Sequence, residues 1–277
     1  MNNSENCRKM KKTLFYFFAF ALIQVFVSYL VWGIWTLVLG ESLREFLHQL
    51  GTGSFAPTAD MLITASGVSS VLTLLLFVRC HWFRATRGNL PRRPWAIMLW
   101  CAVLSAGTIV PSMALEELLP DLPNNMEDTF HALMVSPSGY LMVGIFAPVV
   151  EEVVFRGAMI TALKEKFSGV WIPVLVSALL FALVHANLAQ MPHAFLVGIL
   201  LGWLYCKFDS IIPGVVVHWA NNTIAYIVYF LVPATRDGHL IDVFGSTQRI
   251  WLGVVFSLMI FGPALYQLIV SRTDNDK

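Results

Sequence analysis

The chain is a succession of long apolar runs broken by short charged clusters. Crossing the hydrocarbon of a bilayer takes about 20 apolar residues in helical form. A closed barrel would instead show shorter segments alternating in polarity, and the sequence has none. Eight spans are predicted: about Thr13 to Leu39, Met61 to Val78, Trp95 to Leu115, Ser138 to Leu163, Val170 to Ala186, Met191 to Lys207, Ile211 to Val232 and Ile250 to Val270. The expected fold class is all-α, a polytopic transmembrane helical bundle of about eight spans with its active site in the bundle core. The first run is too long for the apolar core of a signal peptide and reads as a retained span.

Composition agrees with this pattern. Of 277 residues, 57% are hydrophobic and 13% are charged, with a mean hydropathy of +0.69; a soluble domain carries about 25% charge. The net charge of +1 points away from nucleic acid and leaves the lipid bilayer as the expected partner. Cys7, Cys80, Cys101 and Cys206 lack the spacing of a disulfide framework or a thiolate zinc site.

Loop charge predicts orientation. Arg79, Arg84, Arg87, Arg92 and Arg93 crowd the loop after the second span, while Glu116, Glu117, Asp121, Glu127 and Asp128 crowd the loop after the third. Basic loops stay cytoplasmic, so a multi-pass protein of the plasma (inner) membrane with both termini cytoplasmic is expected. Three regions follow: 1–137 with about three spans, a core over 138–232, and a loop with the last span over 233–277.

The fourth span contains charges where lipid-facing residues are expected: Glu151, Glu152 and Arg156. A charge at mid-bilayer costs about 2.5–3.5 kcal/mol on insertion scales, and such residues pair, face a polar cavity, or both. Neighbours on a helix are about 100° apart, so the two glutamates point in different directions. Glu152 and Arg156 have the i,i+4 spacing that suits an ion pair. Glu151 is left as the carboxylate free for chemistry. Pro148 is expected to loosen the helix just before it. His185 lies in the fifth span, and His218 and Asn222 share one face of the seventh at i,i+4. A carboxylate, a histidine and a His–Asn pair from three helices converge only inside a bundle.

The segment EEVVFRG at 151–157 resembles the Glu-Glu-x-x-x-Arg motif of the CAAX-processing and bacteriocin-processing membrane proteases, a family that includes the type II CAAX prenyl endopeptidase. FALVH at 181–185 resembles its Phe-x-x-x-His motif, and HWANN at 218–222 its His-x-x-x-Asn motif. The resemblance covers roughly 138–230. It implies an endopeptidase acting on a peptide or a membrane-anchored protein substrate. Glu151 would be the base that activates water, His185 would orient that water, His218 and Asn222 would stabilise the oxyanion, and Glu152 and Arg156 would support them. A metal-free mechanism is preferred; if zinc were used, Glu151, His185 and His218 would be its ligands, although the His-Glu-x-x-His zinc helix is missing. The Gly-x-Ser-Gly and Gly-x-Gly-Asp signatures of other intramembrane proteases are absent from the spans. The competing readings are a non-catalytic membrane scaffold or bacteriocin immunity factor, and a proton-coupled transporter, for which intramembrane Glu, Arg and His are also typical.

Overall fold

A computed structural model describes residues 3–83, 88–91, 93–120, 122–124, 126–232 and 240–273. Arg84, Arg87, Arg92 and Asp121, which contribute to the charge-based orientation, lie outside them.

The described residues form helices and no strand. In chain order these are α1 (Asn3–Val38), α2 (Leu43–Thr52), α3 (Ala59–Arg79), α4 (Trp95–Ala106), α5 (Ile109–Glu117), α6 (Glu127–Met134), the composite α7 (137–164), α8 (Trp171–Val184), α9 (Met191–Phe208), α10 (Ile212–Leu231), α11 (Leu240–Phe244) and α12 (Thr247–Val270). Ser42, Thr58 and Ser246 cap α2, α3 and α12 with their hydroxyls, satisfying first-turn N–H groups that a helix leaves unpaired.

All eight predicted spans are helical, but they are not equivalent. Among the described residues five are long and apolar enough to cross a membrane: Lys11–Val38, Ala59–Arg79, Trp95–Glu117, Met191–Phe208 and Thr247–Val270. The count reaches six if α6 and α7, bent by 107° at Ser136, form one span. Eight spans are not confirmed, because two of the predicted ones fall short of this length and apolarity. Helix α8 has 14 residues, about 21 Å at 1.5 Å per residue, against a hydrocarbon thickness of about 30 Å. Helix α10 has 20 residues but is interrupted by His218, Asn221 and Asn222.

The polarity of the bundle is inverted relative to a soluble protein. Leu22, Phe26, Leu75, Phe256 and Met259 are exposed, whereas Ser69, Thr73, Ser105, Glu152 and Arg156 are buried. Apolar side chains outside and polar ones inside is the arrangement that lipid imposes. One core cluster joins α1, α3, α7 and α8 through Phe20, Phe77, Phe155, Met159 and Phe181. A second joins α4, α9, α10 and α12 through Leu104, Leu201, Phe208, Val217 and Leu268. Helix α9 bridges them, with Ala194 in the first cluster and Leu201 in the second.

Helix α7 carries the site and is not a regular α-helix. Leu141–Phe146 and Glu152–Ile160 are π-helical, separated by α-helical Ala147–Glu151. The amide of Ala147 bonds to Met142 O, five residues back. In that register Val143 O would next accept from residue 148, but Pro148 has no N–H. The carbonyl left over accepts from Asn222 Nδ2 at 2.8 Å instead, tying α10 to α7. Helices α8 and α9 form a tight hairpin at Gly198, where an added Cβ would lie 3.0 Å from Ala178 Cα and 3.3 Å from the Phe181 ring. Gly198→Val is expected to lower stability in detergent by about 1–3 kcal/mol through overpacking. Gly262→Ala, at a position with open space around it, is expected to leave the melting temperature unchanged or slightly raised. Thermal unfolding of the two variants checks this.

Candidate active site

The site starts from a buried ion pair. Arg156 Nη1 donates to Glu152 Oε1 at 2.8 Å, and both side chains are 0% exposed. Arg156 Nη2 donates to Gly198 O at 3.2 Å. Its guanidinium carbon lies 4.4 Å from the centroid of Phe181, a cation–π contact. The i,i+4 spacing in the sequence thus corresponds to a formed pair, held in a π turn rather than an α turn. Gly214 on α10 leaves the room: a Cβ there would sit 2.5 Å from Glu152 Oε2.

Glu151 differs from its neighbour. Its side chain is 18% exposed, and its Oε2 lies 3.6 Å from His218 Nε2. His218 Nδ1 lies 3.6 Å from Glu152 Oε1. The imidazole therefore sits between the two carboxylates, and a proton on either ring nitrogen points at an acid. His218 is 5% exposed and meets the Phe181 ring edge-on at 5.6 Å between centroids.

His185 ends α8 rather than lying within it. Val184 is the last helical residue, Ala186 takes a left-handed φ of 51°, and Asn187 Oδ1 accepts from Ala189 N at 3.3 Å, turning the chain into α9. The short helix thus delivers His185 to the bundle interior, where it meets Phe181 at 4.9 Å between centroids. Its Nδ1 lies 2.8 Å from Phe181 O. A carbonyl only accepts, so Nδ1 carries the proton and Nε2 keeps a lone pair.

Asn222 is brought to the same region, with Nδ2 engaged by Val143 O and Oδ1 accepting from Asn221 Nδ2 at 3.3 Å. Glu151, Glu152, His218 and Asn222 are thus linked along the α7–α10 contact, and His185 joins them across Phe181. Among the described residues no three His, Cys, Asp or Glu side chains are grouped as a metal ion requires.

Sequence reasoning missed His193 and Asn221. His193 lies in the first turn of α9, and Asn221 Nδ2 lies 3.4 Å from its Nε2. Both line a cavity of about 720 Å³ that none of Glu151, His185, His218 and Asn222 lines. The signal for His193 was available, since it is an ionisable residue within a predicted span. Phe181 was noticed only as part of a motif; its role as the ring on which Arg156, His185 and His218 all rest required the tertiary structure.

Part of the chain is similar to known proteins. Residues 134–224 match the family model described as Type II CAAX prenyl endopeptidase Rce1-like. The chain is 24% identical over 222 residues, 70% of its length, to the Bacillus subtilis (strain 168) protein named "Putative membrane peptidase YdiL", covering 88% of that protein. It is 26% identical over 147 residues, 50% of its length, to the Staphylococcus aureus (strain USA300) protein named "Membrane-embedded CAAX protease MroQ", covering 59% of it. An uncharacterized 24.3 kDa protein of Escherichia coli matches at 28% identity over 91 residues, 31% of this chain and 42% of that protein. No solved structure matches. The chain is a multi-pass membrane protein that over residues 134–224 is similar to the Rce1-like family, and the comparisons support a membrane protease at that level.

Breaking the ion pair from one side strands a buried charge. Arg156→Met is expected to destabilise by about 3–5 kcal/mol, and Glu152→Gln with Arg156→Met together to recover most of that loss. A double-mutant cycle in detergent unfolding measures the difference.

Proposed function

We propose that the chain is an intramembrane endopeptidase in which Glu151 activates water for attack on a peptide carbonyl. One observation carries this reading. Of two adjacent acids, Glu152 is fully buried on Arg156, while Glu151 keeps a partly exposed carboxylate 3.6 Å from His218. A partly buried acid not bound to the arginine is available for proton transfer, and catalytic contacts are often long in the uncomplexed enzyme.

In the proposed reaction Glu151 takes a proton from water as the water oxygen bonds to the carbonyl carbon. It then delivers that proton to the leaving amine as the peptide bond breaks. His185, with its proton on Nδ1, offers Nε2 to orient the water. His218, whose Nε2 N–H turns from Glu151 to the substrate once that acid has taken the proton, and the second N–H of Asn222 would stabilise the developing oxyanion. One such donor is worth about 3–4 kcal/mol of barrier. Glu152, Arg156 and Phe181 hold these groups without touching substrate. Substrates would be peptides or membrane-anchored proteins cut near the bilayer, and the arginine-rich loop would lie on the cytoplasmic side of the plasma (inner) membrane.

Glu151→Gln in proteoliposomes is expected to lower the kcat of peptide cleavage at least about a hundredfold with an unchanged melting temperature. Cleavage at the wild-type rate would remove Glu151 from this role. His218→Ala and Asn222→Ala are expected to act on kcat rather than KM. Activity is expected to survive exhaustive chelation; a loss restored by zinc would replace this mechanism with a metal-dependent one.

A further inference from the structure

The cavity of about 720 Å³ beside these residues has no part in the reaction just described. Its volume is that of an ordinary ligand site. What it offers to a ligand follows from a chain of amides. Val143 O can only accept, so Asn222 Nδ2 donates and Asn222 Oδ1 turns towards Asn221. Asn221 Nδ2 has two hydrogens, and these have acceptors in Asn222 Oδ1 at 3.3 Å and His193 Nε2 at 3.4 Å. The direction of the chain is therefore set at Val143, and Asn221 Oδ1 is its free end. Among the described residues that oxygen has no partner, although Asn221 is only 8% exposed and lines the cavity. A buried acceptor left unpaired is unfavourable, so the cavity favours a ligand bearing an N–H.

Charge narrows the ligand further. The described lining includes Glu116 and Glu117 and no Lys or Arg. Glu117 Oε1 accepts from Leu240 N. Glu116 has no such bond among the described residues, and Met113, Phe130 and Tyr229 supply apolar wall.

We infer that this cavity is a peptide subsite in which Asn221 Oδ1 accepts a backbone N–H of the substrate and Glu116 receives a basic side chain near the scissile bond. The inference rests on the protease reading above. His193 acts as a positioning residue that fixes the rotamer of Asn221.

The test is a mixture of synthetic peptides with all residue types around the cut, offered to proteoliposomes and read by mass spectrometry. Wild type is expected to favour bonds near Lys or Arg. Glu116→Gln is expected to lower the basic-over-neutral ratio of kcat/KM about tenfold, the size of one charge-assisted contact, and Glu116→Lys to favour acidic residues. Asn221→Leu is expected to raise KM about tenfold; melting temperatures exclude misfolding. An unbiased wild type, a bias that survives Glu116→Gln, or an Asn221→Leu effect confined to kcat would overturn the subsite. If wild type cuts nothing, a photoreactive Lys-containing peptide decides. Labelling of cavity residues that Glu116→Lys abolishes would keep the subsite and overturn the protease reading; absence of labelling would overturn both.

Discussion

The interior of this bundle depends on neutralising two charges in a place without water. Glu152 and Arg156 are fully buried and 2.8 Å apart, and each neutralises the other, because an unpaired buried ion is several kcal/mol less stable. Much of the neighbouring structure serves the pair. The Gly198 carbonyl accepts a second guanidinium bond, Gly214 leaves space for the carboxylate, and Phe181 presents its ring to the cation. Those residues come from α8, α9 and α10, so the pair sets the mutual approach of three helices on α7. It also separates the roles of two acids adjacent in sequence. One is locked by the arginine, and the one beside it keeps a partly exposed carboxylate.

A second constraint is the backbone of α7. π-helical turns are rare and collect at functional sites, and here two of them flank the five residues that end in Glu151. Irregular backbone at membrane depth persists only where other groups satisfy it. Pro148 removes one donor, and Asn222 supplies another to the carbonyl left behind. The same asparagine passes that orientation to Asn221, so a proline in one helix helps to set an amide in another. Likewise, the early end of α8 at Val184 replaces a full crossing by a short helix and a turn, and this brings His185 inward. A span of ordinary length would have carried that ring to the membrane surface.

Much of this was legible in the sequence. Apolar run length determined that the chain is helical and membrane-embedded, because lipid leaves no other way to satisfy the backbone. The i,i+4 spacing of Glu152 and Arg156 determined their pairing and left Glu151 over, because side chains one turn apart on a helix meet whatever surrounds them. The presence of His185, His218 and Asn222 within apolar spans marked them as interior for the same energetic reason. Only the tertiary structure decided the rest. The π turns of α7, the short length of α8, the ring of Phe181 as a common platform and the His193–Asn221 pair beside the cavity all depend on contacts between segments distant in sequence. Local periodicity says which face of a helix is polar; which polar groups meet across helices, and which atom is left unpaired, is set by packing.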